Sequence, residues 1–139
     1  MTRRELRFAD FTLSLALDAE GGLFSVTLPG LIPESLDAHT LREATAELNR
    51  YPLAADSCSE WTSKVWKRLR EIPWGSAMTY GELAVSLGAP GAARAVAQAC
   101  ARNPRILAVP CHRVIAESGI GGFAPGVAWK ERLLELESE

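Results

Sequence analysis

Cysteine and histidine are scarce in this chain of 139 residues, which contains three cysteines and two histidines. An odd number of cysteines without a repeating spacing argues against a disulfide framework. The histidines, His39 and His112, lie far apart and form no paired Cys/His ligand pattern. A zinc site is therefore not expected. Reduced thiols leave room instead for a single reactive cysteine.

Long apolar runs are also missing, although 47% of the residues are hydrophobic. Charged residues, glycines or prolines interrupt each apolar stretch, so we expect no membrane span and no membrane partner. The first ten residues carry both arginine and glutamate and lack the apolar centre of a secretory signal. The sequence thus predicts a soluble, cytoplasmic protein.

No aspartate or glutamate occurs between Glu82 and Glu117, although the whole chain has a net charge of −2. The arginines in this stretch are Arg94, Arg102, Arg105 and Arg113. A locally positive segment has the right sign for a phosphate backbone. The same pattern also arises by chance on an alanine-rich helix, so charge alone does not establish a nucleic-acid partner.

Residues 1–55 are predicted to form a small α+β unit. Residues 8–17 and 22–28 alternate or run apolar on either side of a glycine-rich turn, which predicts a β-hairpin. Thr40 and Glu43 have the spacing of a helix capping box, and apolar residues at helical spacing follow.

Residues 56–139 are predicted to form a second, mainly helical domain. Capping boxes at Ser57-x-x-Glu60 and Thr79-x-x-Glu82 each open a helix, and an alanine-rich helix follows over residues 92–102. The last two helices are short and joined by a glycine-containing turn, which is the outline of a helix-turn-helix. The remaining predicted elements are a strand at 106–109, a glycine-rich loop at 119–126 and a helix at 129–137.

Cys111 and His112 place a potential nucleophile and a potential base next to each other in the sequence. A thiol is only slightly ionised at neutral pH, and a neighbouring imidazole can accept its proton. On an extended strand adjacent side chains point to opposite faces. We therefore expect either a backbone turn at Pro110 or a water between sulfur and imidazole, together with a carboxylate that orients His112. The alternative is an inert buried cysteine beside a surface histidine.

Taken together, the motifs resemble those of the O6-alkylguanine-DNA alkyltransferase family, from about Trp61 to Glu137. They are Trp66, Ile72-Pro73, Gly75, Thr79-Tyr80-Gly81-Glu82-Leu83-Ala84, Ala92-Ala93-Arg94-Ala95-Val96, Asn103-Pro104, Pro110-Cys111-His112-Arg113-Val114 and Lys130-Glu131. The resemblance implies an α/β (α+β) fold. A small N-terminal antiparallel sheet-and-helix unit is followed by a helical, winged-helix-like helix-turn-helix alkyltransferase domain.

The resemblance also implies roles for individual residues near the motif. Cys111 is the implied alkyl acceptor, and His112 is the base that reaches the thiol through a water. Glu131 matches the carboxylate that orients His112, and Asn103 matches the residue that braces the turn. Tyr80 resembles the phenol that donates a proton toward guanine N3.

A DNA surface and a substrate pocket are implied as well. The helix at 92–102 is expected in the minor groove, where small side chains allow close approach, and Arg94 resembles the arginine that fills the stack left by a flipped base. The residues expected at the DNA are Thr79, Ala92, Ala93, Arg94, Ala95, Arg102 and Arg113. Those expected to line the pocket are Val109, Pro110, Phe123, Ala124, Pro125 and Gly126. Pro125 stands where many members have glycine or serine, so we expect a stiffer pocket loop.

The implied activity is irreversible transfer of an alkyl group from O6-alkylguanine in double-stranded DNA to Cys111. O4-alkylthymine is a further candidate substrate. The protein is expected to act once per molecule, as a monomer, without metal or cofactor. Three alternatives stay open. A lesion-binding alkyltransferase-like protein typically has tryptophan at the acceptor position. A helix-turn-helix regulator would not transfer alkyl groups. A thiol hydrolase would need an oxyanion hole, for which no motif is seen.

Overall fold

The computed structural model describes residues 1–139, and the chain forms two compact units. The first unit contains Met1–Asp56 and Pro104–Ala108, and the second contains Ser57–Asn103 and Val109–Glu139. The sequence prediction had a single division after residue 55 and did not expect residues 104–108 in the first unit. None of the helices is long and apolar enough to cross a bilayer.

The first unit is built on a three-stranded antiparallel sheet in the order β1-β2-β3. Its strands are β1 (Thr2–Phe8), β2 (Phe11–Leu17) and β3 (Leu23–Thr27). The predicted hairpin corresponds to β2 and β3. Strand β1 was not predicted because it is mostly exposed and rich in arginine, so it lacks the apolar alternation of a half-buried strand.

The first unit also contains helix α1 (Ala38–Leu48), which buries Leu41, Ala44 and Leu48 as predicted. The predicted capping box at Thr40 is wrong. Asp37 is the N-cap, and its carboxylate accepts a hydrogen bond from the Thr40 backbone N–H at 2.8 Å. Aspartate at this position satisfies a free N–H group of the first turn, so the helix begins earlier than the threonine pattern indicates.

The second unit is mainly helical. Its elements are α2 (Glu60–Leu69), β4 (Met78–Thr79), α3 (Tyr80–Ser86), α4 (Ala93–Ala101), a 3₁₀ turn (Cys111–Arg113), β5 (Val114–Ile115) and α5 (Val127–Glu137). The short strands β4 and β5 pair in parallel. The strand expected at 106–109 is wrong, because these residues form turns.

Helix starts in the second unit follow local capping chemistry. At α3 the predicted capping box is confirmed, since Thr79 and Glu82 exchange side chain to backbone hydrogen bonds of 3.0 and 2.9 Å. At α2 the predicted box is wrong by two residues. Ser59 is the N-cap there, and its hydroxyl accepts from the Thr62 N–H.

Helices α3 and α4 form the predicted helix-turn-helix, and α2 holds α4 in place. The indole of Trp66 donates to the Ala99 carbonyl at 2.8 Å, and the indole of Trp61 donates to the Ala95 carbonyl at 3.3 Å. These bonds anchor one side of α4 on the core, so Arg94 on its other side is exposed. The mixed α/β fold class expected from the sequence is confirmed.

Candidate functional site

The backbone reverses at Pro110, immediately before the cysteine. Pro110 has φ −80° and ψ 67°, and the Cys111 N–H donates to the Val109 carbonyl at 2.8 Å. These values define an inverse γ-turn, which the fixed φ of proline accommodates. The 3₁₀ turn of Cys111–Arg113 follows directly. Of the two arrangements expected from the sequence, the backbone turn at Pro110 is therefore present.

Asn103 braces this reversal, as its position in the motif implied. Its side-chain amide is buried and donates to the Val109 carbonyl at 2.7 Å. The same carbonyl accepts the bond from Cys111, so Asn103 and the γ-turn share one acceptor. A carbonyl has two lone pairs and can accept both bonds, which ties the end of the α4 connection to the cysteine.

Cys111 is buried, with 5% of its surface exposed. Burial raises the pKa of the thiol, while hydrogen bonding by Asn103 and the charge of Lys130 act in the opposite direction. The resting side chain is therefore a neutral thiol. The cation that favours its ionisation is Lys130.

His112 is held by a carboxylate, but the residue differs from the one expected. Its Nε2 lies 2.7 Å from Oε2 of Glu137, and both side chains are buried. The prediction for Glu131 is wrong, because Glu131 is exposed on α5. The two glutamates are six residues apart, which places them about 120° apart around a helix. Glu137 follows buried Leu133 by four residues, a signal that could have identified it.

Arg113 belongs to the same buried network and not to a DNA surface. Its guanidinium contacts both Glu137 oxygens, with Nε at 2.7 Å and Nη2 at 3.0 Å, and donates to the Ile72 carbonyl at 2.8 Å. The group also lies over the Trp74 ring. The expectation that Arg113 contacts DNA is wrong, because its side chain is buried and bound to Glu137. A buried carboxylate requires a cation beside it, and Arg113 is that cation.

The network determines the protonation of its members. Burial opposes ionisation of Glu137, but hydrogen bonds from His112 and Arg113 outweigh it and lower the pKa to about 2. Burial lowers the pKa of His112 and outweighs the hydrogen bond and charge of Glu137, which raise it, while the charges of Arg113 and Lys130 lower it further. We therefore assign a neutral imidazole that donates Nε2–H to Glu137. Its Nδ1 is then an acceptor, and it has no hydrogen-bond partner within the protein.

Tyr80 begins α3 and is half-buried against the glycine-rich loop. A Cβ atom at Gly121 would lie 2.9 Å from the Tyr80 hydroxyl, and Gly121 has a φ of 79°. Only glycine suits this close approach combined with a left-handed backbone. Burial raises the pKa of Tyr80 to about 12, so the phenol is protonated and can donate.

Lys130 is the main residue of the site to which sequence reasoning gave no role. It is fully buried on α5, and its Nζ donates to the Val114 carbonyl at 2.7 Å and to the Gly122 carbonyl at 3.1 Å. A third contact joins Nζ to the Tyr80 hydroxyl at 3.4 Å. Lys130 precedes Leu133 by three residues, so the helical period already indicated the buried face.

An open groove of about 370 Å³ lies beside the exposed side of α4. The residues lining it are Tyr80, Gly81, Ala93, Arg94, Ala97, Ala116 and Glu117. Ala92 and Ala95 are partly exposed on the same helix, and Thr79 is partly buried at the start of α3. Cys111 is not among the lining residues. The groove joins Tyr80 and Arg94, two residues that are far apart in the sequence.

Only two of the four arginines in the acid-free stretch are exposed. Arg94 and Arg102 are exposed and lie eight positions apart, about 12 Å from the first turn of α4 to its C-cap. Arg105 is buried in the first unit, where it pairs with Asp56 and donates to the Ala54 carbonyl. The positive surface is therefore narrower than the sequence indicated.

The expected pocket residues have two different environments. Val109 and Pro110 are buried in the turn before Cys111. Phe123, Ala124, Pro125 and Gly126 form a turn closed by a 2.9 Å bond from the Gly126 N–H to the Phe123 carbonyl. The Phe123 ring meets the His112 ring edge-on, with centroids 6.4 Å apart. The pocket role of these residues stays a prediction.

Fold and site together define a helix-turn-helix domain with a cysteine beside a buried His-Glu-Arg network. The family described as "6-O-methylguanine DNA methyltransferase, DNA binding domain" matches residues 60–139. The chain belongs to this family, as the motifs indicated.

Individual relatives agree with this assignment. A methylated-DNA–protein-cysteine methyltransferase of Mycobacterium leprae is 48% identical over 93 residues, which are 66% of this chain and 56% of the relative. The chain spans about half the length of the curated relatives it matches.

Solved structures are similar over more of the chain. The structure of Mycobacterium tuberculosis OGT in complex with DNA has a TM-score of 0.76 and 31% identity, covering 98% of this chain and 92% of that one. The structure of S. pombe Atl1 in complex with DNA containing O6-carboxymethylguanine has a TM-score of 0.51 and 37% identity. It covers 59% of this chain and 79% of that one.

Proposed function

We propose that the protein repairs double-stranded DNA by transferring an alkyl group from O6-alkylguanine to Cys111. The observation that carries the proposal is the buried hydrogen bond between His112 Nε2 and Glu137, directly next in sequence to Cys111. This leaves His112 Nδ1 as a proton acceptor inside the domain that carries the helix-turn-helix. The similar M. tuberculosis OGT is in complex with DNA, and the similar M. leprae relative is a methylated-DNA–protein-cysteine methyltransferase, which supports a DNA partner and methyl transfer to cysteine.

DNA binding is assigned to α4 and the groove beside it. The small side chains Ala92, Ala93 and Ala95 let the helix approach the minor groove closely, while exposed Arg94 extends from the same helix. A stacked base cannot reach a buried thiol, so the damaged nucleotide must rotate out, at a cost of a few kcal/mol. Arg94 entering the vacated stack would offset part of this cost.

Chemistry begins with the thiol proton of Cys111. The proton passes through a water to His112 Nδ1, and the resulting imidazolium is stabilised by ionised Glu137. The thiolate attacks the alkyl carbon, the new S–C bond forms, and the C–O6 bond breaks. Tyr80 donates a proton to guanine N3 as the base leaves. The electron pair of the C–O6 bond leaves with the guanine, which takes the Tyr80 proton. Proton exchange with water then returns the Tyr80 phenolate and the His112 imidazolium to their neutral forms and moves the guanine proton from N3 to N1. The products are a thioether on Cys111 and an unmodified guanine in the DNA.

Access to the thiol requires motion. Because Cys111 is 5% exposed and does not line the groove, an alkylated base needs a path to it, and we assign that path to movement of the loop at 119–126. All eight residues of the loop are exposed or partly exposed, and Pro125 limits the conformations available to it. The loop is therefore expected to act as the movable wall of the pocket formed by Phe123, Ala124, Pro125 and Gly126.

The thioether product is stable, so one molecule repairs one lesion. We propose that the protein acts as a cytoplasmic monomer without cofactor, and that O4-alkylthymine is a second, poorer substrate. We further propose that residues 56–139 are a folding domain distinct from residues 1–55.

Intact mass spectrometry tests the proposal. After incubation with duplex DNA containing O6-methylguanine, the protein should gain one CH₂, about 14 Da, on Cys111. Cys111→Ser should gain nothing, whereas Cys100→Ser, the matched control at a buried cysteine of α4, should gain the same mass. Loss of the lesion without protein modification would indicate a hydrolase instead.

The second candidate is a lesion-binding protein that transfers nothing. Similarity to S. pombe Atl1, whose structure holds damaged DNA, favours it. Cys111 at the acceptor position argues against it, because a thiol can accept the alkyl group. Tight binding of O6-methylguanine DNA with no mass gain on Cys111 would establish this candidate in place of the transferase.

A further inference from the structure

Lys130 occupies a site built for an ammonium group. An ammonium has three N–H donors. Here they meet three acceptors, the carbonyls of Val114 and Gly122 at 2.7 and 3.1 Å and the Tyr80 hydroxyl at 3.4 Å. One side chain thereby connects α5 with β5, the glycine-rich loop and the start of α3.

The charge of Lys130 is not neutralised within the protein. No carboxylate lies within ion-pair distance of its Nζ, although the side chain is fully buried. Burying a cation without a counter-ion is unfavourable, and a leucine or methionine would fill the space without that cost. Unpaired buried charges with shifted pKa values concentrate at functional sites. Burial lowers the pKa of Lys130, whereas proximity to Cys111 raises it, as expected for a cation facing a potential thiolate.

The lysine also determines which way the Tyr80 hydroxyl points. An ammonium can only donate, so the Tyr80 oxygen must accept the bond from Lys130. The phenolic hydrogen is then directed away from Lys130. On another side, Gly121 lies so close that a Cβ atom there would be 2.9 Å from the hydroxyl. Tyr80 also lines the groove beside α4, so a phenolic hydrogen that is turned away from Lys130 is available to a base bound there.

We propose that Lys130 is a positioning residue that fixes the Tyr80 hydroxyl as a donor toward the flipped base and holds the pocket loop against it through Gly122. The inference rests on the proposed alkyl transfer. As Tyr80 donates to the leaving guanine, negative charge develops on the phenol oxygen. The ammonium 3.4 Å away stabilises that charge, which compensates for the loss of acidity that burial imposes on Tyr80.

A double-mutant cycle tests this coupling. The single-turnover rate of Cys111 methylation is measured for the wild type, Lys130→Met, Tyr80→Phe and the double variant. We expect Lys130→Met to slow transfer at least about 10-fold in the Tyr80 background. In the Tyr80→Phe background the same change should have an effect of less than about threefold. Equal losses in both backgrounds would overturn the inference.

A substrate comparison separates positioning from a general structural role. A free O6-alkylguanine analogue with an electron-poor purine ring leaves with less help from a proton donor. The rate loss caused by Lys130→Met should therefore shrink with this analogue, whereas a purely structural defect would slow both substrates equally. Equal slowing counts against the inference.

Folding and basal function are controlled separately. Thermal melting and affinity for undamaged duplex DNA are measured for each variant. Lys130→Gln, which keeps an N–H donor, replaces Lys130→Met in the cycle if the methionine variant does not fold. If the wild type itself never modifies Cys111, the proposed function fails. If the wild type is active and Lys130 variants match it, only the role of Lys130 fails.

Discussion

Nε2 of His112 lies 2.7 Å from Oε2 of Glu137, and Arg113 holds the other oxygen of the same carboxylate at 2.7 Å. One glutamate thus positions the base of the proposed reaction and neutralises a buried arginine. Because both functions depend on Glu137, its loss has two separable consequences, one on rate and one on stability.

Glu137→Gln should slow methylation of Cys111 by about 100-fold or more, because an uncharged amide stabilises the imidazolium poorly. Glu131→Gln, a change of an exposed glutamate on the same helix, should stay within about twofold of the wild type. Single-turnover rates measure both variants. A larger effect at Glu131 would restore the original assignment from the sequence.

The same Glu137→Gln change should reduce the free energy of unfolding by about 3–5 kcal/mol, because it leaves the buried Arg113 charge without its partner. Urea denaturation of the two glutamate variants gives the comparison. A loss below about 1 kcal/mol would show that the Arg113 pair is not a major support of the fold.

Acid should destabilise the protein in two ranges of pH. The pKa of His112 is below its usual value of 6.5, so below pH 6.5 the unfolded chain binds a proton that the native state excludes. The pKa of Glu137 is about 2 against an ordinary 4.5, so a second loss begins near pH 4.5 and continues toward pH 2. Each group contributes at most about 1.4 kcal/mol per pH unit.

Urea denaturation at pH 8, 6.5, 5 and 3.5 measures this dependence. His112→Gln should remove the loss between pH 6.5 and 5, whereas His39→Gln, which changes an exposed histidine, should keep it. A wild-type stability that is flat from pH 8 to 5 would contradict a neutral buried His112.

Arg94→Ala should slow repair of O6-methylguanine in duplex DNA by about 10-fold or more, because base flipping loses the side chain that fills the stack. Its rate with free O6-alkylguanine should change less than about twofold. Arg102→Ala, also exposed on the α4 surface, is the control for loss of a positive charge. Equal slowing of Arg94→Ala on both substrates would remove Arg94 from base extrusion.

Gly121→Ala should destabilise the protein by about 1–2 kcal/mol and slow alkyl transfer. The residue has a φ of 79°, and the new Cβ would lie 2.9 Å from the Tyr80 hydroxyl. Gly119→Ala, where a Cβ meets nothing within 4 Å, should melt near the wild-type temperature. In a Tyr80→Phe background, which lacks the hydroxyl, the loss of stability caused by Gly121→Ala should be smaller. Equal melting temperatures for the two alanine variants would contradict close packing of loop and phenol.

Much of the second unit could be predicted from residues that act on their immediate neighbours. Thr79 and Glu82 cap α3 as expected, since a capping box involves only four consecutive residues. The apolar spacing predicted α1, although its first residue was misplaced because Asp37 competes with Thr40 for the cap. Strand β1 could not be predicted, because its sequence lacks the apolar alternation of a strand. It is a strand because it pairs with β2 along its whole length.

By itself the sequence determined the chemistry available at the site: a thiol next to an imidazole, a proline that turns the chain before them, and an alanine-covered helix with an exposed arginine. Only the tertiary structure decided that Glu137 and not Glu131 holds His112, that Arg113 is buried, and that Lys130 reaches Tyr80. The physical reason is that these contacts join residues 24 to 50 positions apart. The helical period indicates which face of α5 is buried, but the partners on that face depend on how α5 packs against the turn at Cys111, which spacing within one helix does not encode.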